Sequence, residues 1–175
     1  MLTESEVYVY TKEFLRGQGW TLIGGEPPGG TDELHRIEIK DPEHDGIGSN
    51  GSKKVDLIAQ KSGQILLLEL KPSYSYQDVL KLNEIVNRED LRREFFKSCK
   101  ERGALENTDE LRENIISGEC LIKGLGLSRN HKVPEDFVLV LAKDRGKFEV
   151  IEESEVEISQ LFNCPTKSGS SPLDI

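Results

Sequence analysis

Two carboxylates, Asp56 and Glu69, fall at the open end of a predicted β-hairpin. Apolar runs on either side of the polar segment 60–64 predict two strands, and Gly63 can supply the positive φ that a tight turn needs. Counting outward from a turn at Ser62-Gly63 places Asp56 directly opposite Glu69. Opposed residues of an antiparallel pair have Cβ atoms about 4.5–5.5 Å apart, so two carboxylates there either repel each other or share a cation.

Lys71 adds a basic group to the same face of this hairpin. Side chains alternate along a strand, so Glu69 and Lys71 project together while Leu70 projects to the opposite face. We therefore expect one polar face and one buried face. Carboxylate oxygens are hard ligands that suit Mg²⁺, and a nearby ammonium group can donate to a water molecule and a phosphate together. A surface ion pair is the alternative, but polar residues in so apolar a strand lie beside the core and need partners.

The combination of Asp56, an apolar hairpin and Glu69-Leu70-Lys71 resembles the core of the PD-(D/E)XK nuclease superfamily. The resemblance covers about the first half of the chain and departs from the family name at Val55, which stands in place of proline. It implies a restriction-endonuclease-like α/β fold and hydrolysis of DNA with Mg²⁺, or Mn²⁺ as the alternative metal. It also implies metal ligands from Asp56, Glu69 and the carbonyl of Leu70, with Lys71 beside the attacking water.

The first helix offers another acidic group. Residues 3–16 have the apolar spacing of an amphipathic helix that ends at the glycines that follow. Thr3 can cap its first turn, and Glu6 three residues later completes a capping box. By resemblance to the nuclease family, whose members begin with a helix that carries a glutamate, Glu6 is also a candidate auxiliary acid at the edge of the metal site. Glu4 is the less favoured substitute, and the two interpretations of Glu6 stay open at this stage.

The remaining sequence predicts one α/β domain over residues 1–165, followed by a flexible tail at 166–175. Its other predicted elements are a strand at 34–39, a loop at 44–54, two helices within 74–102 that are broken near Asn87, and strands at 137–142 and 148–151. A further helix is predicted at 108–117, capped by Thr108 or Asp109 and ended by Gly118. Their order predicts a mixed central β-sheet flanked by helices. Gly124-Leu125-Gly126 is too short a glycine pattern to predict a phosphate-binding loop.

The net charge of −9 argues against a nucleic-acid substrate, because phosphate contacts need lysine and arginine. The charge is distributed unevenly, however, and the segments 71–102 and 121–148 each hold more basic than acidic residues. By resemblance, the helix after the hairpin lines the site, and a polar, basic loop follows later in the chain. The candidate DNA contacts are Gln77, Lys81, Arg129 and Lys132. Solvated surface positions are the alternative for all four.

We expect a Mg²⁺-dependent deoxyribonuclease, and specifically an endonuclease, that acts on DNA in the cytoplasm. No apolar run is long enough to cross a membrane, and the acidic amino terminus does not have the form of a secretion signal. Cutting both strands with so small a domain would favour a homodimer. One alternative is a catalytically silent nucleic-acid- or protein-binding module that retains the nuclease fold. The other is an acidic interaction protein that binds no nucleic acid.

Overall fold

The computed structural model of the chain describes residues 1–43, 51–153, 159–162 and 166–168. Within these ranges the helices are α1 (Glu4–Gly17), α2 (Tyr76–Asn87), α3 (Glu89–Glu101) and α4 (Asp109–Ser117). The strands are β1 (Thr21–Gly25), β2 (Glu38–Lys40), β3 (Ser52–Lys54), β4 (Leu57–Lys61), β5 (Gln64–Lys71), β6 (Leu121–Leu127), β7 (Phe137–Asp144), β8 (Lys147–Glu153) and β9 (Thr166–Ser168). A short 3-10 helix covers Ser159–Leu161.

Most of the described strands form one mixed sheet in the order β1-β4-β5-β6-β7-β8-β9. β4 is antiparallel to both of its neighbours, β1 and β5, whereas β5, β6 and β7 run parallel. β8 is antiparallel to β7, and β9 lies parallel to β8. β2 and β3 pair separately as a small antiparallel ribbon. The predicted α/β class and mixed central sheet are therefore confirmed.

β4 and β5 form the predicted hairpin, in the predicted register. Leu57 pairs with Leu68, so one further step along both strands sets Asp56 against Glu69. The two residues between the strands both have positive φ, 51° and 76°, as a two-residue turn of this type requires. The turn chemistry alone was sufficient to fix which residues face each other at the far end.

Both faces of the central sheet are buried. α1 covers one face, where it packs over Leu66, Leu68 and Leu70. α2 and α3 cover the other face, where Ile65 and Leu67 are fully buried, and α4 packs against α3. The expectation of a polar face on β5 was therefore wrong. The reason is the parallel neighbour β6, because the helices that connect β5 to it lie over the sheet and leave β5 accessible only at its two ends.

Local capping signals set the boundaries of α1 and α4, as predicted. The Thr3 hydroxyl accepts a hydrogen bond from the Glu6 N–H (3.2 Å), and the Glu6 carboxylate accepts one from the Thr3 N–H (3.1 Å). Arg88 separates α2 from α3, one residue beyond the predicted break. α4 begins after Thr108 and ends at Gly118, whose φ of 82° terminates the helix.

Sequence reasoning missed β1, at the edge of the sheet, and β6. The larger consequence for the site comes from β6. It lies between β5 and β7 in the middle of the sheet, but it contains Gly124 and Gly126, which weaken the strand signal. A Cβ atom at Gly124 would lie 2.6 Å from Leu68 Cδ2, and a Cβ atom at Gly126 would overlap Leu70 Cδ2. The glycines therefore make room for the leucine side chains of β5.

Three shorter segments also differ from prediction, because each depends on pairing with a distant strand. Only the last two residues of the predicted strand at 34–39 enter β2, and the end of the predicted loop at 44–54 forms its partner β3. Residues 44–50 of that loop lie outside the described residues. The first three residues of the predicted flexible tail form β9 beside β8, and residues 169–175 lie outside the described part.

The close contact between β5 and β6 predicts the effect of one added methyl group. Gly126→Ala should lower the free energy of unfolding by about 1–3 kcal/mol, because the new Cβ meets Leu70 inside a packed layer. Gly30→Ala is the matched control, since nothing lies within 4 Å of a Cβ atom at that position. Urea titration followed by circular dichroism measures both. Equal stabilities would mean that Leu70 moves aside without cost.

Candidate active site at the end of the hairpin

Asp56 and Glu69 hold each other in place through the backbone. The Asp56 N–H donates to Glu69 Oε2 (2.8 Å), and the Leu70 N–H donates to Asp56 Oδ2 (2.9 Å). Each carboxylate therefore accepts a hydrogen bond from the strand that carries the other. Such charge-assisted bonds to main-chain donors fix both side chains where β4 begins and β5 ends. The structure thus brings together the two acids that the sequence places opposite each other.

Glu69 is almost fully enclosed and already has a cation. Its side chain is 1% exposed, and Glu69 Oε1 forms an ion pair with Lys81 Nζ of α2. Lys81 also donates to the carbonyl of Lys54 (2.8 Å). A buried carboxylate is costly without a partner, and the ammonium group supplies that partner. Burial lowers the pKa of Lys81, and the charge of Asp56 opposes this shift. Lys81 is thus only partly exposed, and its ammonium group is engaged within the protein.

The side chain of Lys71 also forms an ion pair with a residue of α2. Its ammonium lies 3.2 Å from Asp78 Oδ1, and the two side chains are 40% and 10% exposed. On α2, Asp78 and Lys81 lie one turn apart. Asp78 pairs with Lys71 and Lys81 pairs with Glu69, and these two partners are two positions apart on β5. Positions i and i+3 of a helix have Cβ atoms about 5–6 Å apart, and i and i+2 of a strand are about 6.6 Å apart. The two spacings match closely enough for both pairs to form together.

Asp78 and the pairing role of Lys81 are what sequence reasoning missed. A signal was present, because the Glu-x-Lys of β5 is followed by Asp78-x-x-Lys81 with the charges reversed. The predicted helix from 74 onward placed both residues near its start. Recognising the pairing required knowing that α2 docks on the face of β5 that carries Glu69. That docking follows from the parallel crossover to β6, a strand that was not predicted.

A cavity of about 240 Å³ opens beside Asp56 on the α1 side of the hairpin. Its lining residues are Glu4, Tyr8, Glu26, Pro27, Pro28, Gly29, Asp56 and Leu70. Three of these are acidic, so the cavity is a place where a cation would be attracted. The Tyr8 hydroxyl does not donate to Asp56, because it donates to Asp32 Oδ2 (2.7 Å).

The environment of Asp56 favours its protonated form. Burial, the largest effect, raises the pKa of Asp56 to about 6. The hydrogen bond from the Leu70 N–H and the charge of Lys81 act in the opposite direction. The negative charges of Asp78 and Glu4 add to the increase. A bound cation would reverse this balance, since a positive charge stabilises the carboxylate form.

The structure separates the roles of Glu6 and Glu4. The carboxylate of Glu6 accepts hydrogen bonds from the Thr3 N–H and from the Tyr10 hydroxyl (3.3 Å), and the first of these is the main reason that the pKa of Glu6 is lowered. Glu4, in contrast, lines the cavity beside Asp56. Residues two positions apart on a helix face different directions, so only one of them can face this cavity. The capping interpretation accounts for Glu6, and Glu4 is the acid of α1 that lies near the site.

The predicted basic loop is held against the end of β5. The N–H groups of Ser128 and Arg129 both donate to the carbonyl of Pro72, at 3.0 and 2.9 Å. The ring of His131 stacks on Tyr74, with ring centroids 3.7 Å apart and planes within 1°. Three of the four candidate DNA contacts are exposed, namely Gln77, Arg129 and Lys132. The backbone of the loop therefore bonds to the residue that directly follows Lys71.

The donor set at this site is compatible with a hard divalent cation. Asp56 and Glu69 offer carboxylate oxygens, and the ammonium of Lys81 already stands where a cation neutralises Glu69. In the described part of the chain, no group of three or more histidine, cysteine or acidic residues is arranged to hold a metal ion. Two carboxylates and a main-chain carbonyl would therefore need water and substrate oxygens to complete the coordination of Mg²⁺, as this ion commonly does.

No protein-family model matches the chain, and a search of the curated proteins gives no match. Among the helices that the structure describes, none combines the length and the apolar character needed to cross a membrane.

The shifted pKa of Asp56 predicts a pH-dependent effect of Asp56→Asn. The pKa in the folded protein, about 6, lies above the ordinary value of 3.8, so the folded state holds more protons between these values. Stability therefore falls as pH rises through this window, and asparagine removes that loss. Without divalent cations, the variant should gain about 1–3 kcal/mol of unfolding free energy at pH 7 and little near pH 4.

Urea unfolding in EDTA, repeated from pH 4 to pH 8, measures this difference. Asparagine keeps a side-chain oxygen that can accept the Leu70 N–H, so the hydrogen bond is retained and only the charge is removed. A difference between variant and wild type that stays constant or shrinks as pH rises would contradict the assignment.

Proposed function

We propose that the protein is a Mg²⁺-dependent DNA endonuclease with Asp56, Glu69 and Lys71 as its catalytic residues. The observation that carries the proposal is the mutual anchoring of Asp56 and Glu69 at the end of the hairpin, with Lys71 two residues farther along. Two acids at one strand end are costly to bury unless a cation neutralises them, and a lysine on the same strand suits an anionic substrate.

The arrangement of elements supports membership of the PD-(D/E)XK superfamily and a restriction-endonuclease-like fold. A helix precedes the antiparallel strands β1, β4 and β5, and helices then lead to the parallel strand β6. The motif residues stand where β4 begins and β5 ends, which agrees with the resemblance drawn from the sequence. The fold locates the site, and the function is argued from the side chains.

Asp56, Glu69 and the carbonyl of Leu70 would hold the metal. Bound Mg²⁺, or Mn²⁺ in its place, would polarise the scissile phosphate and lower the pKa of a coordinated water. Lys71 would donate to that water and to a phosphate oxygen, which positions the nucleophile and offsets the charge that builds on phosphorus. Asp78 keeps the Lys71 ammonium at the edge of the site until substrate arrives.

The negative net charge of the chain is compatible with DNA binding because the acidic and basic residues are distributed unevenly along the chain. Arg129 and Lys132 extend from the loop that bonds to Pro72, and Gln77 is exposed at the start of α2. Lys71 is itself 40% exposed, so a phosphate backbone that follows this end of β5 would meet basic residues of the strand and of the loop. We propose that the protein acts in the cytoplasm. Cleavage of both DNA strands would use a homodimer with two such sites.

A second candidate function is a catalytically silent module that binds nucleic acid or protein. One observation favours it: the charged cluster is already satisfied, because Lys81 neutralises Glu69 and Asp78 engages Lys71. A protein that had replaced its metal with a lysine would have this arrangement. The two candidates differ in whether Mg²⁺ binds and whether it promotes cleavage.

Nicking of supercoiled plasmid in Mg²⁺ tests the proposed function. Asp56→Asn, Glu69→Gln and Lys71→Met should each lower the nicking rate by at least about a hundredfold, because each removes a group that stabilises the transition state. The effect of Lys71→Met should fall on turnover and leave Mg²⁺ affinity nearly unchanged, since its ammonium is not a ligand.

Lys97→Met and Glu106→Gln are the matched controls, because both side chains are exposed and lie outside the cluster. They should nick at the wild-type rate. Binding of DNA without any Mg²⁺-dependent nicking by wild type would favour the silent module. Nicking that survives all three substitutions at the site would come from a contaminating nuclease or another site.

The basic loop predicts a separate effect on DNA affinity. The double variant Arg129→Ala, Lys132→Ala should bind DNA more weakly and reduce the salt slope of log K by about 2, since about one unit is lost for each phosphate contact. Fluorescence anisotropy in Ca²⁺, which limits cleavage, measures both quantities. Lys100→Ala with Arg112→Ala removes the same charge from exposed positions on α3 and α4. Identical affinities and slopes for the two double variants would remove the loop from the DNA-binding surface.

A further inference from the structure

Both oxygens of Glu69 are occupied in the structure. Oε2 accepts the Asp56 N–H and Oε1 pairs with Lys81, while 1% of the side chain is exposed. No open coordination position faces solvent at this carboxylate. A divalent cation therefore cannot reach Glu69 unless the ammonium of Lys81 moves away.

The ammonium group of Lys81 can move away from Glu69 into solvent. Its side chain is 29% exposed, so its path to solvent is open, whereas the carboxylate that it pairs with is closed. The ammonium group also donates to the Lys54 carbonyl, an acceptor that does not belong to the metal site. The flexible four-carbon stem of lysine lets the charge shift while its base stays on α2. Glu69, in contrast, is fixed by the backbone of Asp56.

We infer that Lys81 is an internal counter-cation that holds the metal position at Glu69 and exchanges with the divalent cation when it binds. This inference rests on the proposed function, because it concerns the same site. Two cations cannot share one carboxylate oxygen at close range, since like charges in a partly buried site repel strongly. The charge of Lys81 thus lowers the affinity of the site for metal, and it stabilises the folded site when no metal is bound.

Lys81→Met tests the exchange, since it keeps the length of the stem and removes the charge. With Mg²⁺ or Mn²⁺ alone and no DNA, isothermal titration calorimetry should give metal binding at least about tenfold tighter than in wild type, because the competing charge is gone. In EDTA the thermal unfolding midpoint should fall, since Glu69 is left buried without a cation. Added metal should then raise the midpoint more in the variant than in wild type.

Lys123→Met is the matched control. Lys123 is also a partly buried lysine whose pKa is lowered by burial, but it donates to Asn83 Oδ1 (2.7 Å) and lies over the ring of Phe137. This substitution should leave metal affinity at the wild-type value even where it changes stability. Adding Glu69→Gln to Lys81→Met should cancel both the loss of stability in EDTA and the gain in metal affinity, because no buried charge then needs a cation.

Lys81→Gln is the second variant, since its amide can still donate to Lys54 and Glu69. Failure of both variants to fold, at every Mg²⁺ and Mn²⁺ concentration, would overturn the inference, because the metal should replace the missing charge. Metal affinity equal to wild type in a folded variant would overturn it as well. If wild type binds no divalent cation and Glu69→Gln makes no difference, the proposed metal-dependent function fails. If wild type binds metal through Glu69 and only Lys81→Met lacks an effect, the inference alone fails.

Discussion

A buried carboxylate that must have a cation is the constraint on which this site depends. Glu69 lies near the end of β5, a strand that is covered on both faces and paired on both edges. Water cannot solvate its charge, so the protein brings a cation to it from α2. The position of α2 along β5 is therefore fixed by charge as well as by the apolar contacts of Val79, Leu82 and Ile85.

The same helix makes the site a single electrostatic unit. Three carboxylates, Asp56, Glu69 and Asp78, lie among two ammonium groups, so the cluster keeps a net negative charge. Within this cluster the charge of Asp78 raises the pKa of Asp56 and the charge of Lys81 lowers it, while burial is the largest cause of the increase. A cation near Asp56 would neutralise the cluster, which is why a group that is costly for folding is also a favourable place for a metal.

The features of the fold and the site that could be predicted from sequence are those that depend on residues close together in the chain. The hairpin register and the caps at Thr3 and Thr108 follow from residues within a few positions of each other, so their predictions were confirmed. β6 and β9 exist because of partners far away in the chain, and glycines hid the first of them. The pairing of α2 with β5 was hidden for the same reason, so Lys81 was predicted as an exposed or DNA-contacting residue and Asp78 was not considered.

Stability alone does not explain why the end of β5 carries ionised groups. A buried ion pair is often neutral or unfavourable compared with well-packed neutral side chains, because desolvation offsets the attraction. The hydrogen bonds that Asp56 and Glu69 accept from main-chain N–H groups need only an oxygen, which an amide also supplies. Negative charge is therefore the property of these side chains that the fold does not require. Charge that a fold maintains at a cost, beside a cavity and a basic loop, is the feature of this site that supports the proposed metal-dependent function.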